Sequence, residues 1–134
     1  MKLYRFIGEK EKARLLNGEI LENYRNWSDY YDTNSVGICF FAYNRTNDLR
    51  KIITNVLDEW GFAGIVKADY IVEIDVPKAR KAWGWYSGGK RTEYNLTSYS
   101  LADVKSIHKV KSLPMEEWYV TTYNYYTYGA ERVF

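Results

Sequence analysis

Apolar positions along the chain follow two periods, and each marks a kind of element. Leu3, Arg5 and Ile7 alternate with Tyr4 and Phe6, the two-residue period of a short opening strand, and Gly8 closes it. A helix is predicted from about Glu9, with acids in its first turn, Ala13, Leu15 and Leu16 on its apolar side, and Asn17-Gly18 as its stop. The run "VGICFFAY" (36–43) is nearly all apolar, as in a central strand covered on both faces. In "TNDLRKIITNVLDEWG" the period lengthens to that of a helix. Leu49, Ile52, Ile53, Val56, Leu57 and Trp60 share a stripe, Thr46 or Asn47 serves as N-cap, and Gly61 is the stop. Strict alternation returns in "IVKADYIVEIDV" (65–76), with Tyr70, Val72, Ile74 and Val76 on one face and Ile71, Glu73 and Asp75 on the other.

Between and beyond these segments the pattern is more polar. "EILENYRNWSDYYDTNS" reads as a long aromatic loop after a short strand at 19–21. "KARKAW" fits one helical turn, and "GWYSGGKRT" is a glycine-rich basic loop leading into a polar strand, "TEYNLTSY". Ser100 and Asp103 have capping-box spacing at the head of a short helix, "LADVKSI". "HKVKSL" and "EEWYVTTY" read as strands on either side of Pro114, and the tail offers a turn and a last strand. With no repeat and no low-complexity linker, residues 1–134 are expected to form a single α+β domain. Its split, mostly antiparallel sheet has about six or seven strands and two or three flanking helices.

Composition changes this picture in three ways. The single cysteine, Cys39, lies inside an apolar run, so neither an intrachain disulfide nor a cysteine-based metal site is expected, and Cys39 reads as core. No stretch of about 18 apolar residues occurs, which predicts a soluble, cytoplasmic protein without a membrane partner. The net charge of +2 is unevenly spread, for residues 78–111 hold eight basic and two acidic residues, a layout that suits an anionic partner. Fourteen tyrosines and five tryptophans add amphipathic side chains of the kind that binding surfaces favour.

Several residues qualify as candidate chemistry. Gly84, Gly89 and Lys90 match the glycine and lysine positions of a phosphate-binding loop. However, Arg91 stands where Ser or Thr would hold magnesium, and a strand follows where a helix is required, so a plain basic hairpin is the better reading. Glu73 and Asp75, two apart on one strand, point the same way, as a cation site or a solvent-facing edge would have them. His108, the sole histidine, is placed at a helix end; one histidine excludes a histidine-rich metal site, and no metal cofactor is expected.

The order of parts in residues 2–76, "LYRFIGEKEKARLLNGEIL", an aromatic loop, "GICFFAY", an amphipathic helix and "YIVEIDVP", resembles that of small ADP-ribosyltransferase-like proteins of bacteria and their phages. The resemblance implies NAD as cofactor. Arg5 would hold its phosphates or ribose, Ser35 or Tyr43 would stand in the second motif beside nicotinamide, and Glu117 on a late strand would stabilise the charge developing at the ribose. The chain lacks the Ser-Thr-Ser and Glu-x-Glu patterns of that superfamily. Some phage-encoded inhibitors of bacterial immunity, anti-CRISPR proteins among them, resemble this superfamily, some still enzymatic and others acting by binding alone. Two functions are therefore expected as alternatives. One is an anti-defence inhibitor with a nucleotide-binding cleft. The other is a non-enzymatic module whose basic, aromatic 78–111 surface, with Trp85, Tyr86, Lys90, Arg91 and Tyr94, occludes a host defence protein such as a CRISPR effector, or its nucleic acid.

Overall fold

The opening strand β1 (Lys2–Ile7) lies at the centre of the main sheet, pairing antiparallel with β3 (Ile38–Tyr43) on one side and β4 (Tyr70–Asp75) on the other. This computed structural model describes residues 1–22, 37–43, 46–53, 69–81, 91–110 and 130–133. Between β1 and β3 in the chain come the helix α1 (Glu9–Leu16) and the two-residue strand β2 (Leu21–Glu22). Beyond β4 follow β5 (Arg80–Lys81), β6 (Arg91–Leu96), β7 (Ser98–Tyr99), a 3-10 turn (Leu101–Asp103), β8 (Val104–Val110) and β9 (Ala130–Arg132). The described strands form a seven-stranded sheet ordered β5-β6-β3-β1-β4-β8-β9 and a two-stranded ribbon of β2 and β7, with every pairing antiparallel. The expected α+β class and mostly antiparallel sheet are thus present.

Alternation in the sequence becomes two faces in the sheet. Leu3 and Ile7 of β1, Ile38 and Phe40 of β3, Tyr70, Val72 and Ile74 of β4 and Ile107 of β8 line one face, where Leu15 of α1 and Leu21 and Tyr99 of the ribbon cover them. Each such aliphatic side chain contributes roughly 1.5–3 kcal/mol on burial, so this layer is the main source of stability. On the opposite face Tyr4 and Phe6 sit against Phe41, at ring-centroid distances of 5.6 and 5.8 Å. The division expected for β1, with Arg5 beside Leu3 and Ile7, is the one observed.

Helix α1 ends as its sequence predicts. Gly18 takes φ +83, and the N–H groups of Gly18 and Glu19 reach back to the carbonyls of Leu15 and Arg14 at 3.0 and 3.1 Å, which closes the last turn. Its inward face is different from the expected one. Glu11 and Leu15, one turn apart, are buried, whereas Ala13 is exposed and Leu16 is 47% exposed. A carboxylate holds the inward position because β1 presents it with a buried cation.

Four further expectations change. Residues 49–53 are helical, but the cap is Asp48, whose Oδ1 accepts the Arg50 N–H at 3.0 Å while the Thr46 hydroxyl accepts the Asp48 N–H. "KARKAW" yields β5 rather than a helical turn, because Arg80 and Lys81 pair with Asn95 and Tyr94 of β6. "TEYNLTSY" is two strands, broken at Thr97, so that β7 leaves the main sheet to pair with β2. The Ser100 cap forms, with Asp103 accepting the Ser100 N–H at 3.0 Å, yet the helix lasts three residues. From Val104 the backbone is extended, since Val104, Ile107 and Val110 suit a strand and β4 offers a ladder, with one register shift between Glu73 and Ile74. His108 therefore lies mid-strand and not at a helix end.

Candidate functional site

Arg5 is 1% exposed and sits inside the layer between α1 and the sheet. Two-residue alternation turns it toward α1, and the position of Glu11 in the first turn of the helix sets a carboxylate opposite. The guanidinium meets that carboxylate as a fork, Nε to Oε2 at 2.8 Å and Nη2 to Oε1 at 3.0 Å, with both side chains wholly buried. Nη1 donates to the Cys39 carbonyl at 3.0 Å, and the Phe40 ring lies 5.9 Å from the guanidinium carbon. From the ribbon the Tyr99 hydroxyl donates to Glu11 Oε2, while the Tyr99 ring packs edge-on to Phe40 at 5.0 Å. Burial, and then the Glu11 charge, pushes the Tyr99 hydroxyl well above its ordinary value, so it stays protonated as a donor. The cluster joins β1, α1, β3 and β7, and its donors and acceptors are turned inward on one another. A pair so arranged orients elements; reaching a nucleotide would mean breaking the fork.

A second polar chain crosses the other face of the sheet. Register sets Tyr4, Glu73 and Ser106 side by side on β1, β4 and β8. Lys2 Nζ is 3.1 Å from Glu73 Oε1, the Ser106 hydroxyl donates to Glu73 Oε2 at 3.3 Å, and His108 Nε2 is 3.1 Å from Ser106 Oγ. Burial, with the Arg132 charge adding to it and Glu73 opposing, lowers the His108 pKa, which favours the neutral ring. Burial likewise raises Tyr4, and the hydrogen bond to Glu73 raises Lys2. Ser106 thus links His108 to Glu73 across β8 and β4.

The other expected positions fall as follows. Tyr43 is buried at the end of β3, and Tyr94 is half-buried on β6, paired across the sheet with Phe40. Arg91 begins β6, so an antiparallel strand follows "GWYSGGK", as the hairpin reading requires. Ser35, Trp85, Tyr86, Lys90 and Glu117 lie outside the described residues, as do the strands "EEWYVTTY" and 65–68. Glu73 and Asp75 do share a face, but ammonium groups meet both. Asp75 is 2.9 Å from the chain's amino terminus and 3.7 Å from Lys105 Nζ. Among the described residues no three histidine, cysteine or acidic side chains converge as metal ligands, and no helix is long and apolar enough to cross a membrane.

The basic segment is divided by the fold. β5 and β6 lie toward one edge of the sheet and β8 toward the other, with β3, β1 and β4 between them. Four strand spacings separate β6 from β8, about 19 Å. Two partners were missed in the sequence. Glu11 carries a signal, a charged residue one helical turn before Leu15 on an inward stripe. The Glu73–Ser106–His108 chain carries almost none, since it depends on the β4–β8 register. No family model, curated protein or solved structure matches this chain.

Proposed function

We propose that the chain works by binding, as a non-enzymatic module that occludes a partner surface, in the anti-defence role implied by its resemblance to small phage proteins. The observation that carries this reading is the enclosure of Arg5. Its fork is taken by Glu11, and the side chain is buried to the last atom. The nucleotide-cleft alternative gives Arg5 the phosphates of NAD, and this geometry offers it no support. For the partner, an acidic protein face fits better than a nucleic acid. The described cations of the basic segment stand at separate edges of the sheet, Lys78 after β4 near β5 and Lys105 and Lys109 on β8. A phosphate backbone calls for a continuous basic track.

Calorimetric titration of the full chain with NAD and with ADP-ribose is expected to give no binding heat; saturable heat from either restores the nucleotide cleft. In parallel, capture of host protein from a bacterial lysate by the native chain should diminish with Lys90→Ala/Arg91→Ala. Undiminished capture by that variant removes the basic loop from the interface.

A further inference from the structure

We propose that His108 is an acid-sensitive lock on the last strand of the sheet: its protonation sets two cations opposite one another across β8 and β9 and frees β9 from the sheet edge. Among the described strands β9, Ala130–Arg132, lies outermost in the strand order. Its register places Arg132 directly opposite His108, so the two side chains stand on the same face as nearest cross-strand neighbours. The strand is further held by the Val133 N–H, which donates to the Ile107 carbonyl at 2.8 Å. A short edge strand opens at low free energy, so a small repulsion is enough to alter its population.

The groups around His108 decide the direction. From β9 it faces Arg132; from β4 it faces Ile71 at its register position and Glu73 one row along; on its own strand Ser106 touches Nε2 at 3.1 Å, and Lys109 turns to the other face. From β1 comes Lys2, which lies on Glu73 at 3.1 Å. Among the described residues Glu73 is the anion that acts on the ring; Asp69 stands one row along β4 in the other direction, and Asp75 is paired with the amino terminus and Lys105. Glu73 acts through the intervening Ser106, with its charge already countered by Lys2. Arg132 acts at first hand. The Lys105 carbonyl holds Arg132 Nη2 at 3.5 Å along the same edge, while the Lys105 ammonium is met by Asp75 at 3.7 Å. The imidazolium therefore gains less from Glu73 than it loses against Arg132. A like-charged pair in direct opposition shifts an opening equilibrium by up to about fivefold. With β9 released, the outer N–H and C=O groups of β8 lose their partners, which makes the edge available for strand pairing.

The test is amide hydrogen exchange of the full chain by NMR between pH 7.5 and 5, corrected for the intrinsic exchange rate, with His108 titrated in the same samples. Protection of the Val133 amide should fall up to about fivefold through the His108 midpoint, while that of Val76, bonded to the Met1 carbonyl at the end of the central β1–β4 pair, stays level. In His108→Gln the Val133 protection should not change with pH. In Arg132→Gln the fall should disappear, and Arg132→Lys, which keeps the charge, should retain it. Equal protection at both pH values, or an undiminished fall in His108→Gln or Arg132→Gln, overturns the lock. If Arg132→Gln loses β9 protection already at pH 7.5, the His108→Gln and Arg132→Lys pair decides by the same criteria.

Discussion

Replacing Arg5 by methionine would leave the Glu11 carboxylate buried with its cation gone. Removing one partner of a buried pair typically destabilises by about 3–5 kcal/mol, far more than the pair contributes relative to apolar side chains of similar size. Arg5→Met should therefore lower the urea unfolding free energy by roughly that amount, and Arg5→Met/Glu11→Leu should recover most of it. Tyr99→Phe, which deletes a single donor to the same carboxylate, should lose about 1–3 kcal/mol. An Arg5→Met protein within ~1 kcal/mol of the native chain would mean that the fork contributes little. The pattern distinguishes a structural from a ligand-binding arginine, since a guanidinium held ready for a ligand loses binding and not stability when removed. Arg5 was legible as an inward-facing residue from strand alternation alone. Its partner was not, because strand and helix periods say which way two side chains point and leave open whether they meet.

Elements form where local signals and pairing partners agree. The α1 stop, the Ser100–Asp103 cap and the two-faced β4 were readable because each depends on residues within a few positions of one another. β5, the early end of the 3-10 turn and the departure of β7 were not, because a sheet ladder formed with distant residues decided them. Gly37 tests an element boundary of this second kind. At φ +156 it opens β3, and a Cβ there would lie 2.7 Å from the Leu96 carbonyl oxygen of β6, a backbone atom that cannot swing aside. Gly37→Ala should therefore destabilise by about 1–3 kcal/mol, through strain and through a displaced β3–β6 pairing. A thermal melt within ~1 °C of the native chain would show that the strands adjust without loss.

Across the whole molecule, charge pairing makes stability depend on pH, and the sign follows from the directions of the shifts. The folded His108 pKa lies below its ordinary 6.5, so its contribution is fully present above pH 6.5 and is lost as pH falls from there through the lowered value. Glu9, lowered chiefly by the Tyr70 hydroxyl that donates to it at 2.6 Å, and Asp75, lowered chiefly by the amino terminus, contribute above their ordinary 4.5 and 3.8 and fade in stronger acid. Both are solvent-exposed, so their parts are small. Urea titrations should show little change in stability from pH 7.5 to 6.5 and a fall by 5.5, and His108→Gln should flatten the step below 6.5; rising stability in that interval would contradict the assigned shift. The sequence by itself determined the α+β class, the faces of β1 and β4, the ends of α1 and the uneven charge, because these follow from the spacing of nearby residues. Only the tertiary structure decided that Arg5 is enclosed, that the basic segment is parted between two edges, and that His108 faces Arg132. Those facts depend on strand order and register, set by contacts among residues far apart in the chain.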